Sequence, residues 1–370
     1  MFSQITVDKG ICYALFAYDV AWAIDLDEAG RHITESKERS TLRQKRRAPQ
    51  SFKFYPPPLR VIQDADPLVI GNYRSLAAVD VVIYDFGAVS VTYTIPVDGP
   101  FAQLLAFSQE LYDNPALQAD ARGRVERLLA AIIGAVKKPG ILDAVEDYVI
   151  FQMTDWTAES AGNHLCPRHA QEIAQLLRGE LLPLSDQEVE ESVSCRIAYG
   201  VNDLAIIDWN AALVFGRGME DVRAVLEFAN VELLEARCLD QQLSEALDRD
   251  SDFLALPMTG RFRWPGSFEA EVQRIARFQI DSAVLFERVT NALKLLGDQY
   301  LARVYQLVSR RFHLSEWEAS IIKKLQALES IYHKMSDRAT IRRMEVLEWI
   351  IIVLIAVSIL LSLLPGLSGH

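Results

Sequence analysis

The sequence predicts an α+β fold: a mixed α/β N-terminal domain, then a long antiparallel helical hairpin running into one C-terminal transmembrane helix. Three observations predict it. The first ~215 residues alternate strand-like stretches with helical periods. From residue 219 onward helical periods dominate. The chain ends in the aliphatic run VLEWIIIVLIAVSILLSLLPGLSGH, residues 346–370.

Composition excludes some classes of protein. The chain has 370 residues, of which 50% are hydrophobic and 24% charged, which suits two modest globular domains. A net charge of −12 argues against a dedicated nucleic-acid binder. The four cysteines lie far apart without paired spacing, which indicates unlinked thiols in a reducing compartment. The start of the chain shows no secretory signal.

The predicted strands of the N-terminal domain are rich in β-branched and aromatic residues. They are ICYALFAY, VAWAIDL, LRVIQ, VDVVIYDF, AVSVTYTI, DYVIFQMT and LAIIDWNAALVF. The stretches FAQLLAFSQELYD and ARGRVERLLAAIIGAVKK have helical periods. Asp19, Asp85 and Asp208 each lie between two extended runs. Recurring turns explain this pattern, because Asp tolerates turn geometry; an internal duplication is the alternative.

The helical region is predicted to begin at residue 219 and to be interrupted by a loop around Pro257 and Gly266. A second long helix follows, and Ser315 with Glu318 is the spacing of a capping box that starts the last one. The apolar positions of this last helix fit a period of 3.6 better than a heptad. They are Leu314, Trp317, Ile321, Leu325, Leu328, Tyr332 and Met335.

The chain is therefore divided into an α/β cytoplasmic domain (1–215), a coiled-coil-like helical domain (216–345), a transmembrane anchor (346–365) and a short tail (366–370). Residues 349–364 carry no charge and span roughly 24 Å, near the lower limit for crossing a bilayer. A buried core helix is the alternative interpretation. Trp349 beside Glu348 suits an interfacial anchor.

The flanks of this segment predict its orientation. Basic residues precede it, and none follows. The positive-inside rule then keeps the large N-terminal part in the cytoplasm and sends the C-terminus out. A bacterial inner membrane is the expected location because no presequence is visible; a eukaryotic tail anchor would have the same features. The preceding basic residues are Lys334, Arg338, Arg342 and Arg343. Ser358 and Ser362 have a small-xxx-small spacing that would let two such helices pair into a homo-oligomer.

The segment KKLQALESIYHKMSDRATIRRMEVLEWIIIVLIAVSIL resembles the C-terminal end of the YagE family, also called required for meiotic nuclear division (domain of unknown function 155). Leu347, Glu348, Trp349 and Ile351 match its pattern, whereas Ser358 stands where that family usually has an acidic residue. The resemblance covers about the last 40 residues. It implies a single-pass membrane protein without established catalysis, whose mitochondrial members are associated with anchoring the translation machinery.

No motif declares a catalytic, cofactor-binding or metal residue, so none is predicted. DRDSDF (248–253) fails as a calcium loop, because Phe253 and Thr259 replace the required Gly and Glu. VFGRGMED lacks the third glycine of a dinucleotide site, and YDFG has no accompanying kinase motif, so it indicates a hairpin turn. HLCPRH offers three zinc ligands at most, without a fourth nearby.

One charged segment suggests a partner. The loop 37–47 holds Lys37, Arg39, Arg43, Lys45, Arg46 and Arg47. A solvated linker explains it, and contact with an anionic lipid surface or with RNA is the functional alternative.

Three functions follow from these features. The leading one is a single-pass, C-terminally anchored, non-enzymatic scaffold that holds an unknown cytoplasmic protein near the bilayer. The alternative is a membrane-tethered enzyme with its site in the α/β domain, which a deep pocket with perturbed carboxylates would favour. The third is a channel subunit, because the layout resembles that of CorA magnesium channels; it lacks their Gly-Met-Asn motif and second span.

Overall fold

A computed structural model describes residues 5–33, 36–39, 57–157, 165–200, 203–255, 265–291 and 299–363. The chain divides into two compact units. The first, called here the sheet unit, comprises Met1–Cys238 and Leu285–Glu318. The second, the helical unit, comprises Leu239–Val284 and Ala319–His370. The domain boundaries expected from the sequence, at 215, 345 and 365, stay a prediction.

The sheet unit is built on one nine-stranded mixed sheet. Its strands are β1 (Thr6–Asp19), β3 (Ser36–Arg39), β4 (Leu59–Asp64), β7 (Ala78–Ile83), β8 (Ala88–Pro100), β10 (Val145–Thr157), β11 (Arg196–Ile197), β12 (Leu204–Ile207) and β13 (Ala211–Phe215). Two small sheets pair β2 (Ala21–Ile24) with β9 (Val136–Pro139), and β5 (Val69–Ile70) with β6 (Tyr73–Arg74).

The order of strands in the large sheet is β11-β12-β13-β10-β1-β8-β7-β4-β3. Adjacent strands are antiparallel except β10 and β13, which are parallel. The 14-residue β1 lies in the middle, between β8 and β10. Each predicted strand stretch of the first 215 residues overlaps one or two observed strands, all of them in the large sheet except β2.

Helices cover both faces of the sheet. The helices described in the two units are α1 (Leu26–His32), α2 (Phe101–Leu111), α3 (Pro115–Ala131), α4 (Leu165–Arg178), α5 (Asp186–Ser192), α6 (Glu220–Ala255), α7 (Pro265–Asn291), α8 (Gln299–Arg311) and α9 (Leu314–Leu363). Along β1, Cys12, Ala14 and Phe16 join the core that includes α2 and α3. Leu15 and Ala17 join the cores formed with α6 and α8. Because both faces of β1 are buried, the strand is apolar along most of its length.

Helix α6 is buried around its whole circumference over residues 225–235. Its buried polar side chains contact different elements. Glu227 accepts hydrogen bonds from Ser90 and Thr92 of β8, at 2.8 and 3.4 Å. Glu232 accepts one from the Tyr305 hydroxyl of α8, at 2.8 Å. A buried helix that carries these groups must find partners for them, because an unpaired buried polar group costs stability.

In the helical unit, the later part of α6 and helix α9 are connected by polar contacts. The Lys324 ammonium lies 2.6 Å from the Asp240 carboxylate and donates to the Ser244 hydroxyl at 2.6 Å. Ser320 donates to the same carboxylate at 2.7 Å. The apolar side chains Ile321, Leu328 and Met335 of α9 are buried.

The start of α9 differs from the predicted capping box. The helix begins at Leu314, and the backbone N–H groups of Glu316 and Trp317 donate to the carbonyl of His313. Ser315 therefore lies inside the first turn, where its hydroxyl donates to the Glu316 carboxylate at 2.9 Å.

The predicted transmembrane helix is wrong. Within the residues that the structure describes, no helix combines the length and the apolar content needed to cross a membrane. The described part of α9 after Glu348, residues 349–363, extends about 22 Å, against a hydrocarbon core of about 30 Å. The side chains of Trp349 to Ile359 other than Ala356 and Ser358 are large, apolar and at least 49% exposed.

The predictions that depended on this span fall with it. The C-terminally anchored scaffold, the membrane-tethered enzyme, the channel subunit and the inner-membrane location with an external C-terminus all required it. The predicted partners stay predictions: an unknown protein, a homo-oligomer, and anionic lipid or RNA at the loop 37–47. Only β3 of that basic loop lies within the described residues.

The turn between β7 and β8 depends on a glycine. Gly87 has φ = +105°, and a Cβ placed there would lie 1.6 Å from the carbonyl oxygen of Ala21. The Gly87 carbonyl also accepts the Val20 N–H at 3.0 Å, which joins the turn to the chain leaving β1. The YDFG stretch is thus a hairpin turn whose glycine allows another backbone to approach.

Replacing this glycine should disrupt the sheet unit. Gly87→Ala should lower the free energy of unfolding by about 3 kcal/mol or more, because the new methyl group meets backbone and the φ is unfavourable for alanine. Gly30→Ala, within α1, is the matched control. Its new Cβ would meet only a methyl group of Leu59 in β4, at 3.8 Å. Urea denaturation of both variants tests this. Equal stability of the two variants would contradict the account.

Candidate functional site

A pocket of about 600 Å³ opens in the sheet unit. Its walls come from the start of β10, the β12–β13 turn, α5, α6 and the segments that follow α2 and α8. The lining residues are Tyr112, Asp113, Val145, Glu146, Asp147, Glu191, Trp209, Asn210, Asn230, Leu233, Arg237, Arg311, Phe312, His313 and Trp317. They include four carboxylates and four aromatic residues, and they lie up to 205 positions apart (317 − 112) in the sequence.

The aromatic part of the lining is accessible. The Trp209 side chain is 50% exposed and the Tyr112 side chain 58% exposed, although large apolar groups are usually covered. Phe312 is buried and packs edge-to-face on Tyr148, with ring centroids 5.3 Å apart. The pocket therefore presents aromatic surface to whatever enters it.

A buried carboxylate holds the wall that carries Trp209. Asp208 is fully buried in the β12–β13 turn. Its oxygens accept hydrogen bonds from Arg178 Nε at 3.1 Å, Arg311 Nε at 2.7 Å and Ser192 Oγ at 2.8 Å. The N–H of Trp209 donates to the same carboxylate at 2.8 Å. These contacts tie α4, α5 and α8 to one turn.

The Arg311 guanidinium is held on two sides. It contacts Asp208 and, through Nη1, the Glu191 carboxylate at 3.1 Å. Burial disfavours its charge, but the two carboxylates outweigh that effect, and the pKa of Arg311 is raised. Arg311 is thus a fixed structural cation in the pocket wall.

The carboxylates at the start of β10 are perturbed. Burial raises the pKa of Glu146 to about 7, although the Arg237 guanidinium opposes the shift. Burial, with a further contribution from Asp113, raises the pKa of Asp147. The backbone carbonyl of Glu146 accepts a hydrogen bond from the Asn230 amide of α6 at 3.0 Å. The ionised carboxylates are therefore not fully compensated by the protein around them.

Two lining residues have strained backbones. Among the described residues other than glycine, Asp113, Lys138 and His313 have positive φ, and two of these three line the pocket. Asp113 follows the end of α2 with φ = +50°, and His313 follows the end of α8 with φ = +54°. Strain of this kind concentrates at functional sites, although Asp and His tolerate it better than most residues.

A second group of buried acids comprises Glu232 and Glu235 of α6 and Asp19 of β1. Glu235 is 3% exposed, and its Oε1 has no hydrogen-bond partner among the described residues. Burial and the neighbouring Asp19 raise the pKa of Glu235, and burial also raises that of Asp19. Burial raises the pKa of Glu232 to about 8, which the bond from Tyr305 partly offsets. These carboxyl groups retain protons that exposed carboxyls lose.

The sequence predicted none of these site residues. It identified Asp208 as a turn residue and Trp317 as part of an apolar face, but not their meeting at one pocket. Of the zinc candidates, His164 and the Cys166 side chain lie outside the described residues, and His169 is buried with Nδ1 2.6 Å from Glu172. No cluster of three or more metal-ligating side chains was found in the described part of the chain. Residues 248–252, once considered for calcium, are helical in α6.

Asp208 should be essential for stability. Asp208→Asn should lower the free energy of unfolding by about 3 kcal/mol, because two arginines lose their ionised partner in the interior. The control is Asp155→Asn, which removes a surface pair with Arg217 and should change stability by about 1 kcal/mol or less. Urea denaturation followed by circular dichroism measures both variants. If Asp208→Asn loses no more free energy of unfolding than the control, the contacts of the Asp208 carboxylate are dispensable.

The stability of the fold should fall as pH rises through neutrality. Between the ordinary pKa of glutamate, about 4.3, and the raised pKa of Glu232 near 8, only the folded state keeps this proton. Stability is thus greatest at the acidic side of this window and falls towards pH 8. Glu232→Gln should reduce the fall by on the order of 2 kcal/mol, whereas the exposed Glu190→Gln should leave it unchanged. The measurement is the urea midpoint of unfolding at pH 5 to 8. If the midpoints of the wild type and Glu232→Gln fall in parallel with pH, Glu232 is not the group responsible.

Comparisons with known proteins identify the family but no activity. The family described as "Uncharacterized protein MJ0711, N-terminal domain" matches residues 9–221. The uncharacterized protein MJ0711 of Methanocaldococcus jannaschii is 26% identical over 242 residues, which cover 64% of this chain and 72% of that protein. No solved structure matches the chain.

These matches correct the resemblance to the YagE family. That resemblance depended on about the last 40 residues, which include an aliphatic run. Unrelated proteins can share such a run because they share its amino-acid composition. The family match lies instead in the sheet unit, from within β1 through β13 to the start of α6. Because the match covers more than half of the 370 residues, the chain belongs to the family of uncharacterized protein MJ0711, N-terminal domain.

Proposed function

We propose that the pocket binds a small organic cation, of the class of quaternary or primary amines. The observation that carries the proposal is the excess of carboxylates beside accessible aromatic rings. Four carboxylates line the pocket against two guanidinium groups, and each guanidinium already pairs with a carboxylate. The lining is therefore short of positive charge.

The perturbed acids support this choice of ligand. Asp113 disfavours ionisation of Asp147, and Asp147 disfavours ionisation of Glu146. A cation bound near them would relieve both interactions, and an anion would add to them. The ends of α2 and α8 lie next to the lining residues Tyr112 and Phe312, and the C-terminal end of a helix favours positive charge.

The aromatic rings support an organic ligand rather than a simple metal ion. Indole faces attract cations, with Trp the most favourable ring, and they also cover methyl and methylene groups. Trp209 and Trp317 supply two indoles, and Tyr112 adds a phenol ring. A cavity of about 600 Å³ accommodates a small molecule.

Choline and its uncharged isostere 3,3-dimethyl-1-butanol test the proposal. Titration calorimetry at pH 8 should detect binding of choline and little or none of the alcohol, because only choline carries the charge. Trp209→Ala and Asp147→Asn should each weaken choline binding by about threefold to tenfold.

Two matched controls accompany these variants. Tyr199→Ala removes an exposed aromatic residue, and Asp143→Asn removes an exposed carboxylate; neither residue lines the pocket. Both should bind choline as the wild type does. Equal binding of choline and the alcohol, or losses in the controls as large as those in the site variants, would refute the proposed function.

A further inference from the structure

The Glu146 carboxylate pairs with a side chain that is much more exposed to solvent than itself. It forms an ion pair with the Arg237 guanidinium of α6. The Glu146 side chain is only 12% exposed, whereas the Arg237 side chain is 53% exposed. The carboxylate is therefore fixed in the pocket wall, and its cationic partner reaches it from the side that faces water.

The groups around this pair, apart from Arg237, do not stabilise the negative charge of the Glu146 carboxylate. Asp147 of β10 is a like charge beside it, and Asp113 lies near Asp147. On α6, Asn230 binds the backbone carbonyl of Glu146 rather than its carboxylate, and the Cys238 thiol has a pKa raised first by burial. The other guanidinium of the lining, Arg311, is held by Asp208 and Glu191.

We propose that Arg237 is an internal competitor for the ligand: it occupies Glu146 in the empty pocket and is displaced by the ammonium group of a bound cation. The inference rests on the proposed function, since it concerns the same site. It assigns Glu146 as the carboxylate that receives the ligand's charge and Arg237 as the residue that sets the affinity.

The exchange follows from the exposure of the two side chains. A partly buried carboxylate without a counter-cation is costly, so Arg237 stays until another cation arrives. Arg237 itself loses little on leaving, because its guanidinium enters water and half-exposed ion pairs are weak. The pocket thereby selects ligands that replace a cation, and a neutral molecule of equal size gains no such contact.

The test compares choline binding to the full chain, to Arg237→Gln and to Arg237→Lys. It is made at pH 9, because removing the guanidinium would favour the protonated form of Glu146 at lower pH. Choline keeps its charge at every pH. Titration calorimetry should show Arg237→Gln binding choline about threefold tighter than the wild type, and Arg237→Lys binding it about as the wild type does.

A pH profile separates competition from an indirect structural effect. At pH 6 the advantage of Arg237→Gln should disappear, because Glu146 then holds a proton and offers no charge. Circular dichroism checks that both variants are folded. Arg237→Gln binding equal to or weaker than the wild type at pH 9 overturns the competition, while the proposed function survives through the wild-type binding. Absence of choline binding in all three proteins overturns the proposed function itself.

Discussion

The fully buried Asp208 carboxylate is the interaction on which the candidate site depends. An ionised group without access to water is stable only when nearly every lone pair has a donor. Asp208 meets this condition by collecting two arginines, a serine hydroxyl and a backbone N–H from four segments of the chain. Each donor is thereby fixed at the β12–β13 turn. The turn presents Trp209 and Asn210, and Arg311 is the last residue of α8.

Helix α6 imposes the second constraint. It is buried on all sides over residues 225–235, yet it carries three buried glutamates and an asparagine there. Three of these four side chains form hydrogen bonds, each with a different element: Glu227 with β8, Asn230 with β10 and Glu232 with α8. The fourth, Glu235, lies near Asp19 and leaves one oxygen without a hydrogen-bond partner in the part of the chain that the structure describes. These hydrogen bonds restrict the position of α6, which also carries the pocket-lining residue Arg237.

The sequence was informative where local chemistry decides the structure. Stretches such as AVSVTYTI are strands because β-branched residues suit a sheet that is buried on both faces. Gly87 forms a hairpin turn because other residues resist its φ. The pocket was not predictable, because Glu146, Trp209 and Arg237 meet only when β10 pairs in parallel with β13 and α6 packs against these strands. No local pattern encodes that meeting. The aliphatic end misled the prediction because its apolar residues continue a long, otherwise polar helix, whose described apolar part is too short to cross a membrane.

The proposed cation site combines accessible indoles with carboxylates that the protein does not fully compensate. A crystal structure of the chain with bound choline is the decisive experiment. The trimethylammonium group should lie within about 6 Å of the ring centroid of Trp209 or Trp317 and beside Glu146 or Asp147. Choline bound only outside this pocket, or a pocket filled by its own side chains in the crystal, would refute the proposed site.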